Sequence, residues 1–80
     1  MNETSSAPET LGGRIRRLRG ELGLGQERLA IESNVDQSGL SKFERGKENR
    51  ALSEAALRRI AATLRVSFEK FIDGTDYRSP

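Results

Sequence analysis

The sequence predicts an all-α domain of five short helices, and three observations predict it. From Leu11 onward, apolar residues recur at three- and four-residue spacing, and no stretch alternates apolar and polar residues as a strand would. A helix-start signal also recurs four times. In each, one apolar residue stands just before a capping residue and a second apolar residue stands four positions after it. A chain of 80 residues buries only about 60% of its unfolded surface, so the helices must share one small core.

Composition divides the chain into three segments. Residues 1–10 are polar and lack apolar periodicity, so we expect a disordered arm there. Residues 11–73 are predicted to form one domain, and residues 74–80 a C-terminal tail. The first segment contains Glu3 and Glu9 and no base, which leaves 14 basic and 10 acidic residues elsewhere, a net charge of +4. A basic excess on a small domain favours nucleic acid as a partner.

The start and end of each helix follow from local capping patterns. Helix 1 begins at Leu11 and is ended by Gly23, which suits the left-handed conformation. Hydrophobic staples mark the other four starts, in the order Leu24–Leu29, Val35–Leu40, Leu52–Leu57 and Val66–Phe71. Asn34 tolerates the left-handed backbone of a tight turn, so helices 2 and 3 are predicted to form a helix-turn-helix.

Helix 3, over about Gln37–Arg45, is predicted to carry two different faces. Leu40 and Phe43 fall on the core side. The opposite side carries Gln37, Ser38, Ser41, Lys42 and Arg45. An amide, two hydroxyls and two basic groups are the chemistry that reads base edges in a DNA major groove. Gly39 is explained if the start of this helix lies close to the groove wall or to a neighbouring helix.

The composition argues against several function classes. The chain has no cysteine and no histidine, so we expect no disulfide, no metal site, no cofactor and no Ser–His or Cys–His catalytic pair. An enzyme is therefore not expected. Residues 1–10 have no secretory-signal features, and nothing approaches the roughly 18 apolar residues of a membrane span. We expect a cytoplasmic protein without a membrane partner.

Helix 1, the helix-turn-helix and the last two helices are carried by the segments IRRLRGELGLGQERLA, SNVDQSGLSKFERGK and LRRIAATLRVSFEKFI. In this order and spacing they resemble the lambda repressor and Cro class of helix-turn-helix DNA-binding domains, also called the xenobiotic-response-element family. The resemblance covers about Leu11 to Asp73. It implies a five-helix lambda repressor-like bundle and a sequence-specific transcriptional regulator that binds double-stranded DNA.

The resemblance also implies roles for single residues. The base-contacting positions are Gln37, Ser38, Ser41 and Lys42. The phosphate-contacting positions are Gln26, which opens helix 2, and Arg45, Lys47, Asn49 and Arg50. Glu44 of the ERG segment is expected to form a structural salt bridge with Arg19. The other arginines of helix 1 are expected to form a solvated face with at most one phosphate contact.

The chain departs from the family pattern at three places. Gly25 stands where the family commonly has a serine or threonine N-cap, and Arg65 stands where a helix-capping glycine is usual. The loop GKENRALSEAAL is longer than usual and lacks the common proline. Arg65 is expected to lower stability without affecting DNA contact.

Two functions compete. The first is a homodimeric regulator of a palindromic operator, similar to phage repressors or restriction-modification controller proteins, with Phe68 and Ile72 at the dimer interface. RNA polymerase is a further candidate partner. The alternative is a protein-interaction module of the same fold, such as an antitoxin or a transcriptional bridging cofactor. Ile31, an isolated apolar residue on the polar side of helix 2, favours this alternative.

Overall fold

The computed structural model describes residues 9–46 and 51–78, which contain the five helices that the sequence predicts. The helices are α1 (Leu11–Leu22), α2 (Gln26–Ser33), α3 (Gln37–Glu44), α4 (Glu54–Thr63) and α5 (Phe68–Ile72). Outside them, Glu9 and Thr75 form an isolated parallel bridge. None of the described helices has the length and apolarity that crossing a bilayer requires. The fold is thus a small all-α bundle in which α2 and α3 form the helix-turn-helix.

Three of the helix connections are built from the same three-residue unit. Each unit has a left-handed residue, an apolar residue and an N-cap, and the units are residues 23–25, 34–36 and 65–67. In each unit the apolar residue donates its N–H to a carbonyl five residues earlier, in the pairs Leu24–Arg19, Val35–Ala30 and Val66–Ala61. This is the Schellman arrangement. One apolar side chain therefore ends one helix and begins the next, which sets the angle between them.

The left-handed positions explain three residue choices. Gly23, Asn34 and Arg65 have φ angles of 65°, 55° and 65°. Glycine adopts this conformation without strain and asparagine tolerates it, whereas a long side chain does not favour it. The departure of Arg65 from the family pattern therefore lies at a position where glycine would be less strained.

Side chains cap four of the five helix starts. Thr10, Asp36, Ser53 and Ser67 each accept a hydrogen bond from the backbone N–H three residues further on. Gly25 has no side chain and makes no such bond at the start of α2. The helix-turn-helix therefore begins with a weaker cap than the other described helices.

The core lies between all five helices. Its fully buried members include Ile15 of α1, Leu29 of α2, Leu40 of α3, Ile60 of α4 and Phe71 of α5. The apolar residues of the connecting units, Leu24, Val35 and Val66, pack against its edge. Each helix contributes one apolar face, as its spacing predicts.

The two ends of the described chain meet at the start of α1. The Asp76 carboxylate accepts the Leu11 N–H at 2.9 Å, and the Asp76 N–H donates to the Glu9 carbonyl oxygen at 3.1 Å. Hydrogen bonds from Arg17, and then from Arg14, lower the pKa of the Glu9 carboxyl. Residues 1–8 and 79–80 lie outside the described residues, and the predicted arm and tail stay predictions.

α1 and α3 are in close backbone contact at Gly12. A Cβ atom added there would overlap the carbonyl oxygen of Phe43 and would lie 2.9 Å from the Cα of Glu44. Backbone atoms at this distance cannot rotate away as a side-chain tip can. The absence of a side chain at Gly12 therefore sets the distance between α1 and α3.

We predict that Gly12→Ala lowers the free energy of unfolding by about 1–3 kcal/mol, because the added methyl group overpacks a backbone contact. Gly20→Ala is the matched control on the same helix, since apart from its chain neighbours and its own helix backbone no atom lies within 4 Å of its added Cβ. We expect the control to raise stability by about 0.5–1 kcal/mol through helix propensity. Urea denaturation measures both, and equal effects of the two substitutions would contradict the close approach.

Candidate nucleic-acid interface

α3 presents one buried and one solvated face, as its sequence pattern predicts. Leu40, Phe43 and Glu44 are buried. The other side, which we call the polar face of α3, comprises Gln37, Ser38, Ser41, Lys42 and Arg45. All five are exposed except Ser41, which is half-buried. The structure therefore brings together the four residues predicted to contact bases and one predicted to contact phosphate.

The five side chains of the polar face differ in whether they form hydrogen bonds within the protein. Gln37 and Lys42 form no side-chain hydrogen bond to another described residue. Ser41 Oγ accepts a hydrogen bond from Arg45 Nη1 at 2.9 Å. The amide of Gln37 and the ammonium group of Lys42 therefore have their full hydrogen-bonding capacity available.

The first turn of α3 is organised by Asp36. One carboxylate oxygen, Oδ2, accepts the Gly39 N–H and the Ser38 hydroxyl, each at 2.9 Å. The Gly39 N–H, followed by the Ser38 hydroxyl, lowers the pKa of the Asp36 carboxyl. Asp36 is therefore ionised at neutral pH, and Ser38 is held in a defined orientation.

Gly39 is explained by a neighbouring segment of the protein. A Cβ at this position would lie 3.1 Å from the Ala51 carbonyl oxygen and 3.6 Å from a Leu52 methyl carbon. The segment that leads into α4 thus runs directly against the first turn of α3. Of the two explanations that the sequence left open, the structure favours a protein neighbour over a groove wall.

Arg19 and Glu44 form the expected salt bridge and join α1 to the end of α3. Arg19 Nε and Nη2 donate to the two Glu44 carboxylate oxygens, both at 2.8 Å. The Glu44 side chain is 2% exposed and the Arg19 side chain 17% exposed. The hydrogen bond with Glu44 raises the pKa of Arg19. Arg19 Nη1 also donates to the Leu24 carbonyl oxygen at 3.0 Å, which ties the α1–α2 connection to the same pair.

Gln26 joins this network. Its Nε2 donates to Glu44 Oε1 at 3.1 Å, and the side chain is only half-exposed. Sequence reasoning assigned Gln26 to a phosphate and missed this contact. The two residues are 18 positions apart on different helices, so no local pattern relates them.

A second contact that the sequence did not reveal holds the helix-turn-helix against α4. Arg59 Nε donates to the Ser33 carbonyl oxygen at 2.9 Å, and Arg59 Nη2 donates to the Asn34 carbonyl oxygen at 3.1 Å. The buried Ser33 hydroxyl donates to the Thr63 hydroxyl at 2.9 Å. A cation at the C-terminus of α2 also complements the helix dipole.

Most arginines of α1 bind within the protein. Arg14 donates to the Lys70, Phe71 and Asp73 carbonyl oxygens and so caps the end of α5. Arg17 pairs with Glu9 and Glu21. With Arg19 bound to Glu44, only Arg16 of this run is exposed without a side-chain hydrogen bond or salt bridge to another described residue. The basic run is thus mainly structural.

The remaining predicted site residues fall in three places. Lys47, Asn49 and Arg50 lie outside the described residues. Phe68 is half-buried, with the Arg58 guanidinium 4.1 Å above its ring and the ring of Tyr77 at 6.0 Å. Ile72 is half-buried at the end of α5. Contacts within the chain thus cover part of the surface that we assigned to a dimer interface.

Ile31 is the most exposed large apolar residue among the described residues, at 66%. It borders an open groove of about 430 Å³ between α2 and the start of α3, lined also by Glu27, Val35 and Gln37. The groove therefore adjoins the polar face of α3.

Comparisons with known proteins support the same kind of domain. The family model described as a helix-turn-helix domain matches residues 10–70. No curated protein sequence matches the chain.

Solved structures resemble the chain over most of its length. A crystal structure of SinR, the master regulator for biofilm formation, in complex with DNA is 33% identical, with a TM-score of 0.74, and the match covers 80% of this chain and 100% of that one. SinR comes from Bacillus subtilis. The restriction-modification controller protein C.AhdI from Aeromonas hydrophila is 34% identical, with a TM-score of 0.69 and coverage of 76% and 89%.

The SinR–SinI protein complex contains a similar chain that is longer than the aligned region. Its matched chain is 33% identical with a TM-score of 0.74, and the alignment covers 80% of this chain but 61% of that one. The present chain therefore spans less than two thirds of that relative.

We predict that Arg19→Met lowers the free energy of unfolding by about 3–5 kcal/mol, because it leaves the buried Glu44 carboxylate without its cation. The double variant Arg19→Met/Glu44→Leu should recover part of this loss, since no charge remains buried. Chemical denaturation of the two single variants and the double variant measures the coupling between the residues.

The matched control is the exposed pair Arg28–Glu32, whose side chains are 68% and 45% exposed. Arg28→Met should change stability by less than about 1 kcal/mol, because solvent screens this pair. If Arg19→Met were as mild as the control, the Arg19–Glu44 pair would not hold α1 against α3.

Proposed function

The chain belongs to the helix-turn-helix domain family of the xenobiotic-response-element type, and from this premise we propose that it is a sequence-specific transcriptional regulator. It binds a palindromic operator as a homodimer and reads the major groove with α3. The observation that carries the proposal is the polar face of α3, which is solvated and held in place by a buried network. A regulator of this kind is a DNA-binding protein of the cytoplasm and not an enzyme.

The chemistry of the polar face supports base recognition. An amide such as that of Gln37 forms paired hydrogen bonds with adenine, and an ammonium group such as that of Lys42 donates to the acceptors of guanine. Both side chains have no hydrogen-bond partner among the described residues. Ser38 and Ser41 add two hydroxyl groups on the same face.

Phosphate contacts would fix the register of α3 in the groove. Gln26 lies at the start of α2, and its bond to Glu44 engages one of its two amide hydrogens, which leaves the other for a phosphate oxygen. Arg45 at the end of α3 is exposed. Lys47, Asn49 and Arg50 follow it in the chain and are proposed to act in the same way.

The dimer is proposed to form through the exposed parts of Ile72 and Phe68. A symmetric contact between two copies of α5 would place the two recognition helices about 34 Å apart, which is one turn of DNA. Two half-sites also double the number of base contacts that a domain of this size can make.

A protein-interaction module is the second candidate function. The exposure of Ile31 beside the open groove favours it. One similar structure is that of a protein complex, SinR with SinI. In this case a protein partner, with RNA polymerase as one candidate, would cover Ile31 and DNA contact would be secondary.

We predict that the protein binds duplex DNA and that its affinity falls steeply with salt, by about 0.9 log units per log unit of salt for each neutralised phosphate. Lys42→Ala should also relax base preference at one or two base pairs, each worth about 1–3 kcal/mol. Gln37→Ala should do the same, whereas Gln26→Ala should weaken all sequences alike. Titrations of operator and altered duplexes at two salt concentrations measure these effects.

Lys70→Ala is the control for Lys42→Ala, because Lys70 is an exposed lysine on α5 and is not part of the polar face of α3. It should leave base preference unchanged. A flat salt response would favour the protein-interaction alternative. An unchanged base preference in Gln37→Ala would contradict the proposed register of α3.

We predict that the chain sediments as a dimer at micromolar concentration and that Ile72→Glu shifts it to a monomer, because a charge at the centre of an apolar symmetric contact must be desolvated. The variant should also lose cooperative binding to the two half-sites. Ile31→Glu, which alters an isoleucine on α2, should leave sedimentation unchanged. A monomeric wild-type protein would rule out the proposed interface, and thermal melting separates loss of the dimer from loss of the fold.

A further inference from the structure

The two serines of the polar face differ in the hydrogen bond that they can offer to a ligand: Ser38 can only accept one, whereas Ser41 can donate one. Ser38 Oγ lies 2.9 Å from Asp36 Oδ2, and Ser41 Oγ lies 2.9 Å from Arg45 Nη1. A carboxylate only accepts hydrogen bonds and a guanidinium only donates them. Ser38 must therefore supply its own hydrogen to Asp36, whereas Ser41 keeps its hydrogen free.

The consequence is an acceptor surface at the start of α3. The single hydrogen of the Ser38 hydroxyl points to Asp36, so only its lone pairs are available to a ligand. The second carboxylate oxygen of Asp36, Oδ1, makes no hydrogen bond to another described residue, and it too is an acceptor. Both residues are exposed.

This orientation should persist in a complex. Turning the Ser38 hydroxyl toward a base would break a hydrogen bond to an ionised acceptor, and such bonds are roughly twice as strong as neutral ones. The same Asp36 oxygen also holds the Gly39 N–H at the helix start, so its position does not depend on Ser38 alone.

We propose that Asp36 and Ser38 together select an amino base, cytosine first and adenine second, on the strand that the start of α3 contacts. This inference rests on the proposed function and specifies its substrate. In the major groove, cytosine presents the N4 amino donor and adenine the N6 amino donor, whereas guanine and thymine present the O6 and O4 acceptors. Cytosine ranks first because adenine adds the N7 acceptor beside its donor, which the carboxylate repels.

Ser41 provides the internal contrast. It lies almost one helical turn after Ser38, and its free hydroxyl hydrogen is a donor. The base pair that it meets is not restricted to amino bases. Two serines on the same face therefore differ in the bases that they can prefer.

The test inverts the polarity of Asp36 without removing the helix cap. Asparagine is as good an N-cap as aspartate, so in Asp36→Asn the amide oxygen can accept the Gly39 N–H and the amide nitrogen replaces the free carboxylate oxygen. The 80-residue chain is incubated with duplexes that have a randomised centre, and the bound fraction is sequenced. The preference for cytosine at one position of each half-site should fall by about fivefold to a hundredfold, in favour of bases that present an acceptor to the new amide N–H.

Two further variants separate the hydrogen-bonding polarity of the first turn of α3 from a general effect of changing a helix cap. Ser38→Ala removes one acceptor and should reduce the preference for amino bases without inverting it. Ser67→Asn makes a comparable N-cap change on α5 and should leave the selected sequence unaltered. Circular dichroism confirms that each variant is folded.

The outcomes are distinguishable. If the wild-type protein selects no sequence from the pool, the proposed function fails and this inference fails with it. If it selects an operator, but Asp36→Asn keeps the same base preference or binds all sequences more tightly by the same factor, Asp36 acts only as a cap or by repelling phosphates. That result would overturn the inference and leave the proposed function standing. Should Asp36→Asn not fold, an unchanged preference in Ser38→Ala overturns it instead.

Discussion

The buried carboxylate of Glu44 is the constraint on which the position of α3 depends. It receives hydrogen bonds from Arg19 of α1 and Gln26 of α2, and Arg19 in turn holds the carbonyl oxygen of Leu24 between these helices. A buried charge is tolerated only when its partners are all in place, so this network favours one arrangement of three helices. The backbone contact at Gly12, about two turns earlier in α1, also meets α3 at Phe43 and Glu44, so both contacts hold the C-terminal end of α3. The segment at Ala51 and Leu52 contacts Gly39 in the first turn, and contacts at both ends of α3 together define the direction of its polar face.

The connections between helices add rigidity through local geometry. Three of them use a left-handed residue, an apolar residue and an N-cap, and each apolar side chain packs on the core. The connection within the helix-turn-helix is further held by Arg59, which binds the last carbonyl groups of α2 from α4. The segment beside Gly39 packs against the other side of α3. A surface that reads bases must be held in a defined position. α3 is held by α1, by α2 and by the segment at Ala51 and Leu52.

The distribution of charge differs from what net charge alone suggests. Arg14, Arg17 and Arg19 of α1 bind carbonyl or carboxylate oxygens within the chain. The net charge is +2 for the whole chain, and much of its basic content is structural. The argument for a nucleic-acid partner therefore depends on which cations form no salt bridge with a described residue, and on the polar face of α3 these are Lys42 and Arg45. Net charge indicated nucleic acid as the class of partner. Only the pattern of salt bridges and hydrogen bonds locates the surface that would bind it.

The sequence by itself determined the number of helices, their starts and the division of α3 into two faces. Caps, staples and left-handed turns join residues that are at most about five positions apart, so these features can be predicted from spacing. The family resemblance added the Arg19–Glu44 pair.

The tertiary structure decided which of these side chains are free. The bond from Gln26 to Glu44, the cap of α2 by Arg59 and the cap of α5 by Arg14 join residues that are far apart in the chain. Ser38 and Ser41 are the same residue type, yet the atoms beside them make one an acceptor and the other a donor. Hydrogen-bonding capacity depends on which partner already occupies each group, and that is set by the three-dimensional arrangement of neighbours.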